Sequence, residues 1–177
     1  MLRKILIYGT IAGLIVGGWL FGVTVTVGPH VFGAWSAPVG YLSMLIALST
    51  VFVAVKRHRD IAQGGVIKFW PALGMGLGIS LIAGIFYVVA WEAAVAVTHI
   101  DFGTVYADAV IEQARAKGTT GPALDKLIDE MEAFKQQYAN PLYRLPMTFA
   151  EIFPVGVLVS LVSAALLRNP RFLAARG

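Results

Sequence analysis

The sequence predicts an all-α protein: a four-transmembrane-helix bundle with an extracytoplasmic helical hairpin between the third and fourth spans. Three observations carry this prediction. The 177 residues are 58% hydrophobic and only 14% charged, with a mean hydropathy of +0.75, whereas soluble domains are roughly 45–50% apolar and about 25% charged. Four apolar stretches approach or exceed the roughly 20 residues needed to cross about 30 Å of hydrocarbon. A single polar segment with helical periodicity interrupts them.

The first stretch runs from Ile5 to Val27, behind Arg3 and Lys4. It exceeds the roughly 7–15 residues of a signal-peptide core, so it is expected to stay in the chain as a span. The second, Val39 to Val55, is the shortest and relies on Tyr41 and Lys56 at its ends. The third runs from Ala72 to Val97 and the fourth from Leu145 to Leu167. This divides the chain into residues 1–97 with three spans, a hairpin over 98–144, and residues 145–177 with the last span and a tail.

Orientation follows from the distribution of Lys and Arg, which accumulate in short cytoplasmic loops. Arg3, Lys4, Lys56, Arg57, Arg59, Lys68, Arg168, Arg171 and Arg176 fall on one face, nine of the 14 basic residues. Residues 28–38 contain none, and the hairpin segment offsets its five basic residues with seven acids. Both termini are therefore expected in the cytoplasm and the hairpin outside it, as in a multi-pass membrane protein. The net charge of +4 reads as topology and contact with anionic membrane lipid, not as nucleic-acid affinity. Within the run Lys56-Arg57-His58-Arg59-Asp60, the side chains are expected to serve as an interfacial anchor, with lipid-headgroup binding as the sharper reading.

In the hairpin, Phe102, Val105, Tyr106, Ala109 and Val110 recur at helical spacing up to Gly118. Leu124, Leu127, Ile128, Met131, Phe134 and Tyr138 repeat the pattern. Thr120 is expected to cap the second helix with Pro122 in its first turn, and Asn140-Pro141 to stop it or bend it into the fourth span. The apolar faces are expected to cover each other and the bundle, or to receive a membrane-protein partner.

Gly9, Gly13 and Gly17 form a four-residue ladder on the first span, and Gly76, Ser80 and Gly84 form another on the third. Small residues let helices approach closely where lipid supplies no hydrophobic drive for association. Packing within the monomer is the expected use, and a homodimer through Gly9, Gly13 and Gly17 the alternative.

Glu92 and Glu151 are the two ionisable residues inside spans away from their cytoplasmic ends. Helical rise places both in the outer part of the bilayer. A carboxylate there must be protonated, hydrogen-bonded, or facing a wet cavity, which makes the pair candidates for a proton or cation. Tyr87, Trp91, Tyr143 and Arg144 are near enough in sequence to satisfy them instead. Pro154 withholds a donor from the carbonyl of Ala150 beside Glu151, and a kink is expected there, with Gly156 adding freedom.

No cofactor motif is present, and no metal is expected: His30 and His99, with Asp101, lack the spacing of a helical metal site. The absence of cysteine removes disulfides and thiolate chemistry. No phosphate-binding loop or nucleophile elbow occurs. The expected protein is a non-enzymatic, structural or partner-recruiting membrane bundle. The alternative is a small proton- or cation-coupled transporter using Glu92 and Glu151.

Gly40-Tyr41 with Met44, Lys56 to Asp60, Gly65-Val66-Ile67-Lys68-Phe69, Trp91-Glu92, Asn140-Pro141-Leu142-Tyr143-Arg144, and Met147-Thr148 through Glu151, Pro154, Val155 and Gly156 resemble bacterial membrane proteins grouped as domain of unknown function 4199. The resemblance covers nearly the whole chain and implies four spans with an extracytoplasmic helical insert. It implies no activity.

Overall fold

A computed structural model describes residues 1–28 and 36–174. Among these residues the chain forms six α-helices and no strand: α1 (Leu2–Thr26), α2 (Ser36–Arg57), α3 (Phe69–Thr98), α4 (Phe102–Ala116), α5 (Pro122–Ala139) and α6 (Pro141–Leu167). Four helical stretches are long and apolar enough to cross a membrane: Leu2–Thr26, Ala37–Ala62, Phe69–Thr98 and Pro141–Leu167. The second is longer than the sequence suggests. Its basic run, which suits a helix C-terminus, continues the helix instead of ending it, and a π-helical turn over His58–Ala62 extends it further. Gly64 and Gly65 then reverse the chain at φ values of +62° and +88°, open only to glycine without strain.

The chain divides into two compact units, one of Met1–Ala94 with Thr148–Gly177, the other of Val95–Met147. In the first, α3 is the central helix. Half of its apolar window is buried, against 28–33% in the other three candidate spans. The core joins Ala12 and Val16 of α1, Leu48 and Val51 of α2, Met75, Ile79 and Ala83 of α3, and Ile152 and Leu167 of α6. The outward faces are apolar too, with Leu14, Ile46, Val89 and Leu158 each exposed. An apolar exterior around an apolar core is the surface a hydrocarbon solvent requires.

In the second unit, α4 and α5 pack through aromatic rings: Phe102 on Tyr138 at 5.4 Å and Tyr106 on Phe134 at 5.3 Å between centroids. Such pairs add about 0.5–1.5 kcal/mol each beyond the area they bury. Lys135 joins the same two helices by reaching Asp108 at 3.3 Å. Asp101 caps α4, accepting from the Thr104 amide at 3.1 Å and its hydroxyl at 2.7 Å. These two bonds, side chain before backbone, hold the Asp101 carboxyl below the usual carboxylate range.

The expected cap at Thr120 is corrected: the N-cap of α5 is Gly121, with φ +61° and ψ −147° and no side-chain bond. Pro122 at the first helical position fixes the entry, and only glycine adopts the preceding conformation freely. Asn140 ends α5 in an extended conformation, and Pro141 opens α6.

Candidate functional site

Glu151 lies on α6 ten residues after Pro141, and its carboxylate Oε2 accepts a hydrogen bond from the Tyr87 hydroxyl of α3 at 3.2 Å. Tyr87 is buried, while Glu151 is exposed at the surface of its unit. A phenol from the central helix therefore meets the carboxylate at the edge of the bundle. Glu92 is half-buried on α3 and is not a free carboxylate. It lies five residues beyond Tyr87, about 7.5 Å further along the axis.

Helix α6 runs unbroken through Pro154, whose ring lies on an exposed face. On either side of Pro154 the helix packs closely on α3. A Cβ added to Gly156 would lie 2.5 Å from the Ser80 Cβ, and one added to Gly76 would lie 2.7 Å from the Ser160 Oγ. Gly76-xxx-Ser80 and Gly156-xxx-Ser160 therefore interlock as an antiparallel pair. Each serine hydroxyl donates to the glycine carbonyl one turn back, at 3.0 and 2.7 Å, and the two hydroxyls lie 3.4 Å apart. Gly84 extends the same face under the Phe149 ring.

Gly9, Gly13 and Gly17 face α3 in parallel register. Added Cβ atoms would meet Ile82 at 2.7 Å, Phe86 at 2.5 Å and Ala90 at 3.0 Å. The ladder is filled within the chain by α3.

At the opposite end of the bundle from Glu151 lies a second polar cluster. The Arg59 guanidinium is fully buried. Its Nη1 and Nη2 donate to the carbonyls of Phe172 and Leu173 at 2.9 and 2.8 Å, and its Nε donates to Asp60 Oδ1 at 2.6 Å. Lys56 completes the group, donating to Asp60 Oδ2 at 2.7 Å. Phe172 packs edge-on against Phe52, with ring centroids 6.5 Å apart. The segment after α6 is thereby tied to the end of α2. Beside this clamp, Lys4 lies 3.5 Å from His58 Nδ1, and Arg57 Nη1 donates to the Tyr8 hydroxyl at 3.3 Å.

A model of the family described as "Protein of unknown function (DUF4199)" matches residues 7–169. The chain belongs to this family. Comparison with curated proteins and with solved structures gives no significant match to either. The matched span in this family member takes in Glu151, Tyr87, both glycine-serine pairs and the Lys56–Asp60 run. It is a membrane-type helical bundle of a family without an assigned function.

Among the described residues, no three His, Asp or Glu side chains converge as they would around a metal ion. His30 lies outside the described residues. His99 stands at φ +52° after α3, donating its amide to the Val95 carbonyl at 2.9 Å, and Asp101 is taken up by the cap of α4. Both have local backbone roles. Sequence reasoning missed Arg59 as a buried clamp, because a run of four basic residues reads as a solvated edge. The neighbouring acid Asp60 was the available signal. It also missed Ser160, though Gly156-xxx-Ser160 repeats the spacing of Gly76-xxx-Ser80.

Proposed function

We propose that this protein is a non-catalytic membrane scaffold whose α4–α5 hairpin recruits a protein partner on the outer side of the bacterial inner membrane. The observation that carries the reading is the separate compactness of the hairpin, closed by its own aromatic contacts at Phe102, Tyr106, Phe134 and Tyr138. A segment that stabilises itself is suited to present a surface, and Tyr106 remains 45% exposed at its edge. The hydrogen bond from Tyr87 to Glu151 supports the same reading, because it gives a structural reason for a carboxylate in a span. The test is a photo-crosslinker at Tyr106 in intact cells, with Leu81 on a lipid-facing surface as control. One discrete protein adduct from position 106 alone is expected. Lipid adducts alone at both positions would overturn the proposal.

The second reading is a proton- or cation-coupled transporter. It is favoured by the exposed position of Glu151 within a span, one turn before Pro154. In proteoliposomes it requires a pH- or cation-driven flux abolished by Glu151→Gln. Absence of flux under every imposed gradient would remove it.

A further inference from the structure

We infer that the junction of α1 and α2 binds the phosphate group of an anionic phospholipid. Four donor-bearing side chains meet there from two helices. Lys4 and Tyr8 are one turn apart on α1, and His58 and Arg57 face them from the end of α2. The contacts they make are to one another: Lys4 to the His58 ring nitrogen and Arg57 to the Tyr8 oxygen, at 3.5 and 3.3 Å. Among the described residues neither Lys4 nor Arg57 has a carboxylate partner, because Asp60, the acid next to them, is taken by Lys56 and Arg59.

Two cations held together without an anion repel each other, and the first turn of α1 adds no acid to offset the positive end of its dipole. Bringing these groups together is favourable when an anion lies between them, and charge-assisted bonds from an ammonium and a guanidinium suit a phosphate. His58 is buried at the base, while Arg57 is exposed at the rim. The lipid source follows from the setting. The exposed apolar side chains of Ile61 on the π-helical turn, Val66 in the connection to α3 and Trp70 at the start of α3 belong at the level where acyl chains meet headgroups.

The inference is independent of the hairpin and is tested on the detergent-solubilised full chain by native mass spectrometry. The titrants are dioleoyl phosphatidylglycerol and dioleoyl phosphatidylcholine, and the variants are Lys4→Gln, Arg57→Gln and Lys68→Gln. Lys68 is an exposed base outside the cluster. Phosphatidylglycerol should bind more tightly than phosphatidylcholine. Lys4→Gln and Arg57→Gln should each weaken phosphatidylglycerol binding about fivefold, the loss of one basic charge at a membrane surface. Lys68→Gln should leave it unchanged, and phosphatidylcholine binding by all three variants reports an intact fold. Equal affinity for the two lipids, or an equal loss in Lys68→Gln, would overturn the site. Displacement of phosphatidylglycerol by millimolar inorganic phosphate, with phosphate alone raising the melting temperature, would overturn its assignment to lipid.

Discussion

Replacing Arg59 by Gln should unfasten the segment after α6 and destabilise the bundle. The guanidinium makes three charge-assisted bonds between 2.6 and 2.9 Å and has no access to solvent. Bonds to a charged group contribute about 1.5–3 kcal/mol each, and breaking a buried ionic group costs about 3–5 kcal/mol. The loss falls at the low end of that range, since Asp60 keeps Lys56 and the carbonyls of Phe172 and Leu173 can reach water once the segment lifts. We expect about 3 kcal/mol, or a fall of about 6–12 °C in melting temperature by the scaling for domains of this size. Trypsin cleavage after Arg168 and Arg171 should accelerate by about a hundredfold where cutting requires local opening. Arg59→Lys should lie between the two, because one ammonium cannot serve both carbonyls with the planar fork. An Arg59→Gln protein that melts and digests like the parent would refute the clamp.

Three further outcomes follow from packing and capping. Gly13→Leu should lower thermal stability by more than about 1–3 kcal/mol, because its Cβ would lie 2.5 Å from the Phe86 Cβ; Gly18→Leu, which meets nothing within 4 Å, should melt like the parent. A double-mutant cycle of Ser80→Ala and Ser160→Ala should give a coupling near the ~0.6 kcal/mol average for such pairs in membranes, since each hydroxyl already serves its own helix. Asp101→Ala should cost the α4 cap about 0.5–2 kcal/mol. The folded Asp101 carboxyl sits below its ordinary value, so the capping stabilisation is present above that ordinary value and lost as pH falls through the lowered one. Hydrogen exchange at the Thr104 amide should show this acid limb in the parent and lack it in Asp101→Ala.

The four spans were legible because hydrocarbon thickness imposes a length that composition reveals directly. The hairpin was legible from the spacing of Phe102, Tyr106, Phe134 and Tyr138, which do meet across α4 and α5. Gly9, Gly13 and Gly17 marked a contact face, but a small-residue ladder does not say which helix fills it. Arg59 was not legible, since its burial depends on carbonyls 113 and 114 residues away that carry no side-chain signature. The depth of Glu151 came from a rise per residue, whereas its partner came from how α3 and α6 cross. That crossing is set by Gly76, Ser80, Gly156 and Ser160, so Tyr87 could be placed near Glu151 only as one of several aromatic candidates.

From the distribution of Lys and Arg we propose that residues 98–144 lie outside the cytoplasm and the Lys56–Asp60 run inside it. The chain contains no cysteine, so Ala116→Cys at the end of α4 and Gln63→Cys after the π-helical turn each give a single thiol at an exposed position. With an impermeant thiol reagent on intact spheroplasts of a bacterial host, Ala116→Cys should label at once and Gln63→Cys only after lysis. Labelling of Gln63→Cys from outside, or of both positions alike, would contradict it.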